Sequence, residues 1–252
     1  MAENKVTLIG YYGGDKTHCL SAWQSTGIEF DYTKSINSRV DLLFSETVKT
    51  KQKSPQELLK MLADSGHGTP FEKSALHFQV TADLATHIHC IKHRIAVSVN
   101  SESARYKELK DQWYIPDDWQ GQDVIWMNSM ADNSEWDGRA AAYSFVSRND
   151  DWATVLEDYV NLGHELYHVA VTQLTPVLGR KRAKESARYF LPYAKQLDFD
   201  VQFNFRSFMH FQGLRNSEHA QKEVCAIAKS MLEQVRNIPG NPFKFSLEAF
   251  GY

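Results

Sequence analysis

Arginine and histidine occur together in three separated segments of this chain, each near the expected end of a helix. The first is Lys-His-Arg at residues 92–94, the second contains Arg206 and His210, and the third contains Arg215 and His219. Guanidinium groups bind phosphates and the acyl-like edge of a base through paired hydrogen bonds, and helix N-termini favour anions. The pattern indicates a site for a large anionic ligand, or for two. From the first segment alone, a solvated basic loop is an equal alternative.

The composition restricts the classes of partner. The chain has 252 residues, a formal net charge of −3 and a pI of about 6.4, so its basic segments form a local site and not a surface that coats a nucleic-acid polymer. Cys19, Cys90 and Cys225 fit neither a disulfide framework nor a metal-ligand spacing, which is typical of a reducing compartment. No run approaches 18 apolar residues, so we expect a cytoplasmic protein without a membrane partner.

A second chemical pattern, His-Glu-Leu-Tyr-His at residues 164–168, matches the H-E-x-x-H sequence of zinc hydrolases. Two histidines four residues apart on a helix can share a metal ion. The predicted apolar stripe of this helix passes through Leu162 and Leu166, which places both histidines away from the core, and Glu185 is the only candidate for a distant third ligand. We therefore expect no metal site, and a zinc hydrolase is a remote alternative.

The elements before residue 92 are predicted from periodicity and caps. Alternation predicts strands at residues 6–11 and 75–80, and helical spacing predicts a short helix at 17–24 with Leu20 and Trp23 inward. Residues 28–50 are weakly helical at best. A capping box at Ser54-Pro-Gln-Glu57 begins a helix that Gly66 ends. Its expected apolar side consists of Leu58, Leu59, Met61 and Leu62.

Two connections should present the polar side chains. Pro70 prevents the preceding helix from continuing, so residues 67–72 are expected to form a turn. Asp83 caps a helix whose inward residues would be Leu84, Ile88 and Ile91, and on which His89 and His93 would share a face. The chain then continues as a polar loop to Arg105.

The second half predicts one long helix, a short helix at 183–188 that stops before Pro192, then a strand and two helices. Residues 151–174 keep a 4-3-4-4-4 apolar spacing that begins at Val155. Residues 197–203 alternate as a strand, and Asn204 can cap a helix that Gly213 ends. Leu214-Arg215 would then begin the last helix, which would place Arg215 and His219 at its N-terminus. Residues 117–150 suggest a loop-rich insertion with one helix near 139–146.

These segments resemble, in order, the motifs of the flavin-dependent thymidylate synthases (the ThyX family). The family's Arg-His-Arg, spacer and Ser-x-Arg-Tyr signature is matched at residues 92–94 and 103–106, and its His-x-Thr-Pro-Phe-Glu at 67–72. The remaining matches are Ala-Arg-x-x-Leu-Pro at 187–192, Asn-x-Arg at 204–206 and Leu-Arg-x-x-x-His-Ala-Gln at 214–221.

The resemblance implies an α/β fold, with a twisted central sheet flanked by helices, in a single domain spanning residues 1–252. It implies a homotetramer whose active sites lie between subunits. The implied reaction converts dUMP to dTMP. Methylenetetrahydrofolate provides the carbon, and FAD reduced by NADPH provides the hydride.

The resemblance also assigns site residues by position. Those expected to contact FAD or line its site are His67, Thr69, Glu72, Lys92, His93, Arg94, Asn100, Asn204, Arg206, His210 and His219. Those expected to hold dUMP are His89, Arg94, Ser101, Glu102, Ser103, Ala104, Arg105, Arg188 and Arg215. Arg215 would be catalytic, with Ser103 as a hydrogen-bonding residue of the catalytic site, and no metal is implied. A fixed guanidinium beside the N3/O4 edge of uracil would stabilise the negative charge that develops there.

The chain departs from the family pattern at several positions. The spacer before Ser103 is one residue longer, Glu102 is displaced, and Lys92 replaces an arginine, so a bidentate contact becomes a point charge. His89 and His210 stand where amide side chains are common. A different base, dCMP in place of dUMP, or a hydroxymethyl product would fit these changes. A non-enzymatic flavin- or nucleotide-binding protein on the same scaffold is a third alternative.

Overall fold

The computed structural model describes residues 3–28, 35–124, 142, 144–147 and 151–252. The chain forms two compact units. The first, here called the sheet unit, comprises Lys5–Val80, Ile88–Ser101 and Asp198–Tyr252. The second, here called the helical unit, comprises Met1–Asn4, Thr81–His87 and Glu102–Leu197. The single domain expected over residues 1–252 stays a prediction.

The mixed α/β class is confirmed. The strands are β1 (Lys5–Tyr12), β2 (Ala75–Asp83), β3 (Val97–Ser101) and β4 (Gln196–Phe203). The helices, in order, are α1 (Asp15–Trp23), α2 (Ile36–Thr47), α3 (Pro55–Asp64), α4 (Leu84–Ile91), α5 (Trp152–Leu178), α6 (Arg180–Ala187), α7 (Phe205–Arg215), α8 (Lys222–Arg236) and α9 (Lys244–Ala249). None of the helices in this described part is long and apolar enough to cross a bilayer.

The sheet has the strand order β1-β2-β4-β3, and β3 runs antiparallel to β4 with Val97 opposite Phe203. The predicted alternation in β2 is confirmed because Leu76, Phe78 and Val80 are fully buried. The prediction of a loop after residue 95 is wrong, since Val97–Ser101 pairs with β4 as a fourth strand. Its small polar residues concealed this pairing.

Local signals position the helices of the sheet unit well. Ser54 and Glu57 exchange the two hydrogen bonds of a capping box at the start of α3. Leu58, Leu59 and Leu62 are buried as predicted, whereas Met61 is exposed. α2 is a full helix, so the weak prediction for residues 28–50 underestimated it.

A buried polar network connects the N-terminal and C-terminal segments of the sheet unit. Asp15 accepts hydrogen bonds from the backbone N–H groups of Phe245 and Ser246. The Ser246 hydroxyl lies 2.8 Å from Nδ1 of His18, and Ser74 lies 2.8 Å from Nε2 of the same ring. Burial lowers the pKa of His18 to about 3, so this histidine is neutral in the folded protein.

The inward face of α4 differs from the prediction. Asp83 caps the helix as expected, by accepting from Thr86 N–H. The buried residues are Thr86, His87 and Cys90, whereas Ile91 is exposed. Because α4 ends at Ile91, His93 lies beyond it and shares no helical face with His89.

The long helix α5 is confirmed, with Asp151 as its N-cap, but its buried face is not the predicted one. Of the apolar stripe, Val155 is buried, but Tyr159 and Leu162 are 52% and 48% exposed, and Leu166 is exposed as well. The buried face instead contains Val160, Gly163, His164, Tyr167 and Val171. The expectation that His164 points away from the core is therefore wrong.

Glycine 163 explains the choice of face. A Cβ atom at Gly163 would lie 2.7 Å from the carbonyl oxygen of Phe190. The missing side chain lets this backbone pack directly on α5, and Tyr167, Val171 and Ala187 form a buried cluster beside it. Close backbone approach thus overrides the apolar periodicity.

Two further predictions for the helical unit concern the insertion at 117–150 and the role of Glu185. Most of the predicted insertion at 117–150 lies outside the described residues, although residues 144–146 are helical. Glu185, the candidate third metal ligand, instead accepts from Arg105 Nε at 2.7 Å and pairs with Arg182.

Candidate active site

A cavity of about 650 Å³ in the sheet unit brings together most of the predicted flavin-site residues. It lies where the segment after α4 meets α7 and the turn before β2. The predicted residues in its lining are Glu72, Lys92, His93, Arg94, Asn204, Arg206, His210 and Arg215. The lining also includes Ile95, Ala96, Val97, Ser207 and Leu214, which sequence reasoning missed. Segments up to about 140 residues apart in sequence therefore form one pocket wall.

Backbone contacts fix the segment after α4 against the start of α7. Asn204 caps α7 by accepting from Ser207 N–H at 2.8 Å, and its own N–H donates to the carbonyl of Ala96. The Ser207 hydroxyl donates to the carbonyl of Ile95 at 2.8 Å. Ala96 adopts a φ of 51°, a left-handed conformation that costs a residue with a Cβ atom free energy. Asn204, the cap that the sequence predicted, therefore both begins α7 and lines the cavity.

Helix α7 presents polar groups to the cavity from one face and aromatic groups to the core from another. Arg206, His210 and Leu214 follow at four-residue spacing and line the cavity. Phe208 and Phe211 are fully buried on the other side. The prediction that Arg206 and His210 share a face is confirmed.

Arg215 is the last residue of α7, which corrects the predicted helix boundaries. Gly213 lies inside the helix instead of ending it, and the next helix, α8, begins at Lys222. Arg215 and His219 therefore do not occupy a helix N-terminus. The carbonyl end of a helix dipole favours a cation, so the helix end stabilises the guanidinium and does not itself bind an anion.

His93 holds Arg215 in place. Arg215 Nε donates to His93 Nε2 at 3.0 Å, and the His93 ring packs edge-on against Phe211. Burial, followed by the charges of Arg215, His210 and His89, lowers the pKa of His93 to about 4. His93 is therefore neutral near pH 7, with Nε2 as the acceptor.

An ion pair orients Arg206. Its Nη1 lies 2.7 Å from Oε1 of Glu72. Residues Thr69–Glu72 form one short 3₁₀ helix, with Pro70 in its first turn, where a plain turn was predicted. Gly68 packs directly on the Arg206 side chain, since a Cβ atom there would lie 2.5 Å from Arg206 Nε. The glycine of the 67–72 motif is thus explained by contact with the guanidinium, in addition to turn chemistry.

His67 and Thr69 line a second cavity of about 450 Å³, and Arg206 contributes to its wall as well. Arg206 therefore stands between the two spaces. A ligand longer than one cavity could extend from the first into the second past this side chain.

Several predicted residues lie outside both linings. Asn100 and Ser101 pair with β4, and His219 is exposed beyond α7. Nδ1 of His89 is buried without a hydrogen-bond partner in the described part of the chain, and its charge acts on His93.

The predicted nucleotide ligands of the helical unit make contacts of their own. Glu102 pairs with Lys107, and the Ser103 hydroxyl accepts from Arg105 N–H at 3.3 Å. Ala104 is buried, and Arg188 is exposed at the start of the short 3₁₀ helix Arg188–Phe190, which follows α6.

The cavity in the sheet unit suits an anionic ligand with a planar ring. Lys92, Arg94, Arg206 and Arg215 outnumber the single carboxylate Glu72, and the apolar side chains provide a surface for stacking. The described lining contains no cysteine, and Ser207 donates its hydroxyl to a backbone carbonyl. The lining of this cavity thus combines cationic groups that can stabilise negative charge with apolar groups that a flat ring can pack against.

The comparisons with known proteins identify the family. Residues 7–239 match the family described as "Thymidylate synthase complementing protein", and the chain belongs to it. It is 29% identical over 220 residues to a flavin-dependent thymidylate synthase of Thermosipho africanus, across 87% of this chain and 86% of that protein. It is 28% identical over 206 residues to one of Streptomyces coelicolor, across 77% of this chain and 78% of that protein.

Solved structures show a related fold. The UMP/dUMP methylase PolB of Streptomyces cacaoi, bound with 5-Br UMP, has a TM-score of 0.64 at 23% identity and covers 100% of this chain and 95% of its own. With 5-Br dUMP bound, the same protein has a TM-score of 0.66 and covers 99% of this chain and 95% of its own.

Proposed function

We propose that this chain is a flavin-dependent thymidylate synthase that converts dUMP to dTMP, with methylenetetrahydrofolate as carbon donor and NADPH-reduced FAD as hydride source. The observation that carries the proposal is the cavity whose lining combines residues of four motifs: Glu72, residues 92–94, Asn204 with Arg206, and Arg215. Family membership supports the reaction class.

The residues present fit FAD. Lys92, Arg94 and Arg206 would hold its pyrophosphate, because they are cations around one cavity. Ile95 and Val97 would contact its apolar ring surface. His67 and Thr69, on the other side of Arg206, would hold a part of the ligand that extends into the second cavity. Bound there, FAD would supply the hydride-transfer chemistry that no side chain can provide.

Arg215 would act on the pyrimidine. Its guanidinium is oriented by neutral His93 before any ligand charge develops. Negative charge on the N3/O4 edge of uracil would then be stabilised without reorganisation of the group that stabilises it. Ser101, Ser103, Arg105 and Arg188 would hold the nucleotide, with the two arginines suited to its phosphate.

We extend the proposal to a homotetramer with active sites between subunits. The support is the apolar stripe of α5, where Tyr159, Leu162 and Leu166 are exposed in one chain. A long helix with an exposed apolar stripe is typical of a face that another protein surface covers.

The test is a product analysis. Purified protein should take up FAD, and NADPH should bleach the flavin absorbance at about 450 nm. With methylenetetrahydrofolate, dUMP should yield a nucleotide with the mass of dTMP. UMP and dCMP are assayed in parallel, because a structural neighbour is a UMP/dUMP methylase and because the displaced Glu102 allows another base. A hydroxymethyl product, or turnover of dCMP alone, would replace this proposal with the alternative of a related enzyme that modifies another pyrimidine nucleotide or makes a hydroxymethyl product. Protein that binds FAD and dUMP without turnover would be a binding protein.

A further inference from the structure

Three potential metal ligands of the helical unit converge on one point, and none of them lines the cavity described above. Nε2 of His168 lies 2.8 Å from Nε2 of His164. Oδ1 of Asp111 lies 2.5 Å from the same His164 atom. All three ligand atoms lie within 4.8 Å of one another.

Hydrogen bonding within the protein cannot satisfy all of these contacts. The Nε2 atom of His164 has either one hydrogen or one lone pair, so it can serve one neighbour as donor or as acceptor. Its second close neighbour can only share that one hydrogen or lone pair, in a weaker three-centre contact. A cation placed between the three atoms would accept a lone pair from each and remove the conflict.

We propose that Asp111, His164 and His168 bind a divalent transition-metal ion of the zinc class. Two imidazole nitrogens and one carboxylate oxygen are ligands that zinc prefers, and three protein ligands leave a fourth position open. Ligand atoms about 2.0–2.1 Å from a tetrahedral zinc ion lie roughly 3.3 Å apart. The side chains must therefore separate by several tenths of an ångström, which Asp111, with its side chain 62% exposed, can do.

The backbone already fixes the two elements that carry the ligands. His164 and His168 are one turn apart on α5. The segment that holds Asp111 pairs with the strand-like stretch 194–196, through the bridge of Trp113 to Lys195 and the bond from Gln196 N–H to Gln112. A bound metal would thus clamp this segment onto α5.

Two features limit the affinity we expect. Nδ1 of His164 is buried without a hydrogen-bond partner in the described residues, whereas metal-binding histidines usually donate this group to an acceptor. The buried ammonium of Lys195 also lies close enough to disfavour positive charge on His164. The site should bind zinc more weakly than a structural zinc site with a complete outer shell.

The site differs from the zinc-hydrolase alternative in its third ligand. The sequence pattern alone offered Glu185, which is engaged with Arg105 and Arg182. Asp111 has no periodic or motif relation to the two histidines, so only the fold associates the three residues.

The experiment is a calorimetric titration of the full chain with Zn²⁺ after chelator treatment and desalting, with flavin content measured in each sample. We expect one equivalent of zinc per chain and a rise in the thermal unfolding midpoint when zinc is added. Asp111→Asn and His168→Ala should each weaken binding at least tenfold and remove the thermal shift. Asp111→Asn is the more informative variant because it changes an exposed side chain and preserves its volume.

Two control variants keep the result specific. Glu165→Gln alters the same H-E-x-x-H pattern at an exposed position outside the three ligands, and His77→Ala removes a histidine of the sheet unit that faces Asp200. Both should bind zinc like the unmodified chain. Three results would each overturn the proposal. The first is that the unmodified chain binds no stoichiometric zinc. The second is that Asp111→Asn and His168→Ala bind zinc as tightly as the unmodified chain, and the third is that Glu165→Gln loses as much affinity as these two variants.

Discussion

Arg215 and His93 form a charged donor–acceptor pair in which the histidine is the neutral partner. The contact is 3.0 Å long, and it joins the C-terminal residue of α7 to the segment after α4. Because a guanidinium has no acceptor atom, Nε2 of His93 must be unprotonated. The pair therefore fixes both the direction of Arg215 and the tautomer of His93.

Removing the acceptor should lower the rate of the chemical step. A hydrogen bond to a charged group contributes about 1.5–3 kcal/mol, so we expect His93→Ala to reduce kcat about 10- to 100-fold at saturating FAD. The KM for dUMP should change less, because the guanidinium remains but loses its orientation. His93→Gln provides an amide oxygen as acceptor and should recover part of the rate. Steady-state kinetics at matched flavin occupancy measure this, and an unchanged kcat in His93→Ala would refute the orienting role.

Gly68→Ala should weaken FAD binding without unfolding the protein. The new Cβ would lie 2.5 Å from Arg206 Nε, and the flexible guanidinium can move only by leaving its place at the cavity wall. We expect roughly tenfold weaker FAD binding, about 1.4 kcal/mol.

Gly213→Ala is the matched control for this substitution. Gly213 also lies beside the cavity segment, inside α7, but a Cβ there meets no atom within 4 Å. It should retain FAD affinity and gain up to about 1 kcal/mol of stability from helix propensity. Fluorescence titration with FAD compares the two variants, and equal affinities would contradict the role of Arg206.

Leu166→Arg should disrupt the assembly while leaving the single chain folded. Leu166 is exposed on α5 in one chain, so a charge there costs little until another subunit covers it. We expect a smaller particle by size exclusion with light scattering, and an unchanged far-UV circular dichroism spectrum. Glu165→Gln, at the adjacent exposed position, should keep the original mass. A homogeneous assembly of unchanged mass in Leu166→Arg would place the subunit contact elsewhere.

The buried histidine His18 should make stability depend on pH. Its pKa is about 3 in the folded protein, against an ordinary value of 6.5. Between these two pH values the unfolded chain binds a proton that the folded chain does not. The contribution of neutral His18 to the free energy of unfolding is therefore fully present above pH 6.5 and is lost as the pH falls toward 3. The slope approaches about 1.4 kcal/mol per pH unit for one proton.

Urea unfolding between pH 7 and pH 5 measures this slope. His18→Asn removes the titrating ring and should flatten the dependence, although the loss of buried contacts to Ser74 and Ser246 lowers its stability at every pH. Identical pH slopes in the two proteins would exclude His18 as the source.

The sequence predicted those parts of the fold that depend on local chemistry. The capping box at Ser54, the alternation in β2 and the cap at Asn204 all form as expected, since each relies on neighbours in the chain. Eight of the predicted site residues also line one cavity, whereas His67 and Thr69 line a second one and the other predicted residues lie outside both.

The predictions that are wrong concern features that long-range packing determines. Helical periodicity identified α5, but Gly163 let the backbone of Phe190 approach and so selected another buried face. Gly213 was interpreted as a helix end, whereas α7 continues through it to Arg215. Asp111 and His164 are 53 residues apart, and no pattern in the sequence could associate them.

The most direct test of the central claim is the product formed by Arg215→Ala. The variant should bind FAD and show its flavin spectrum, and NADPH should still bleach it, because Lys92, Arg94 and Arg206 remain. With dUMP and methylenetetrahydrofolate, the unmodified chain should form dTMP, and the variant should form none above background by mass spectrometry. Arg215→Ala that makes dTMP at the unmodified rate would contradict the account.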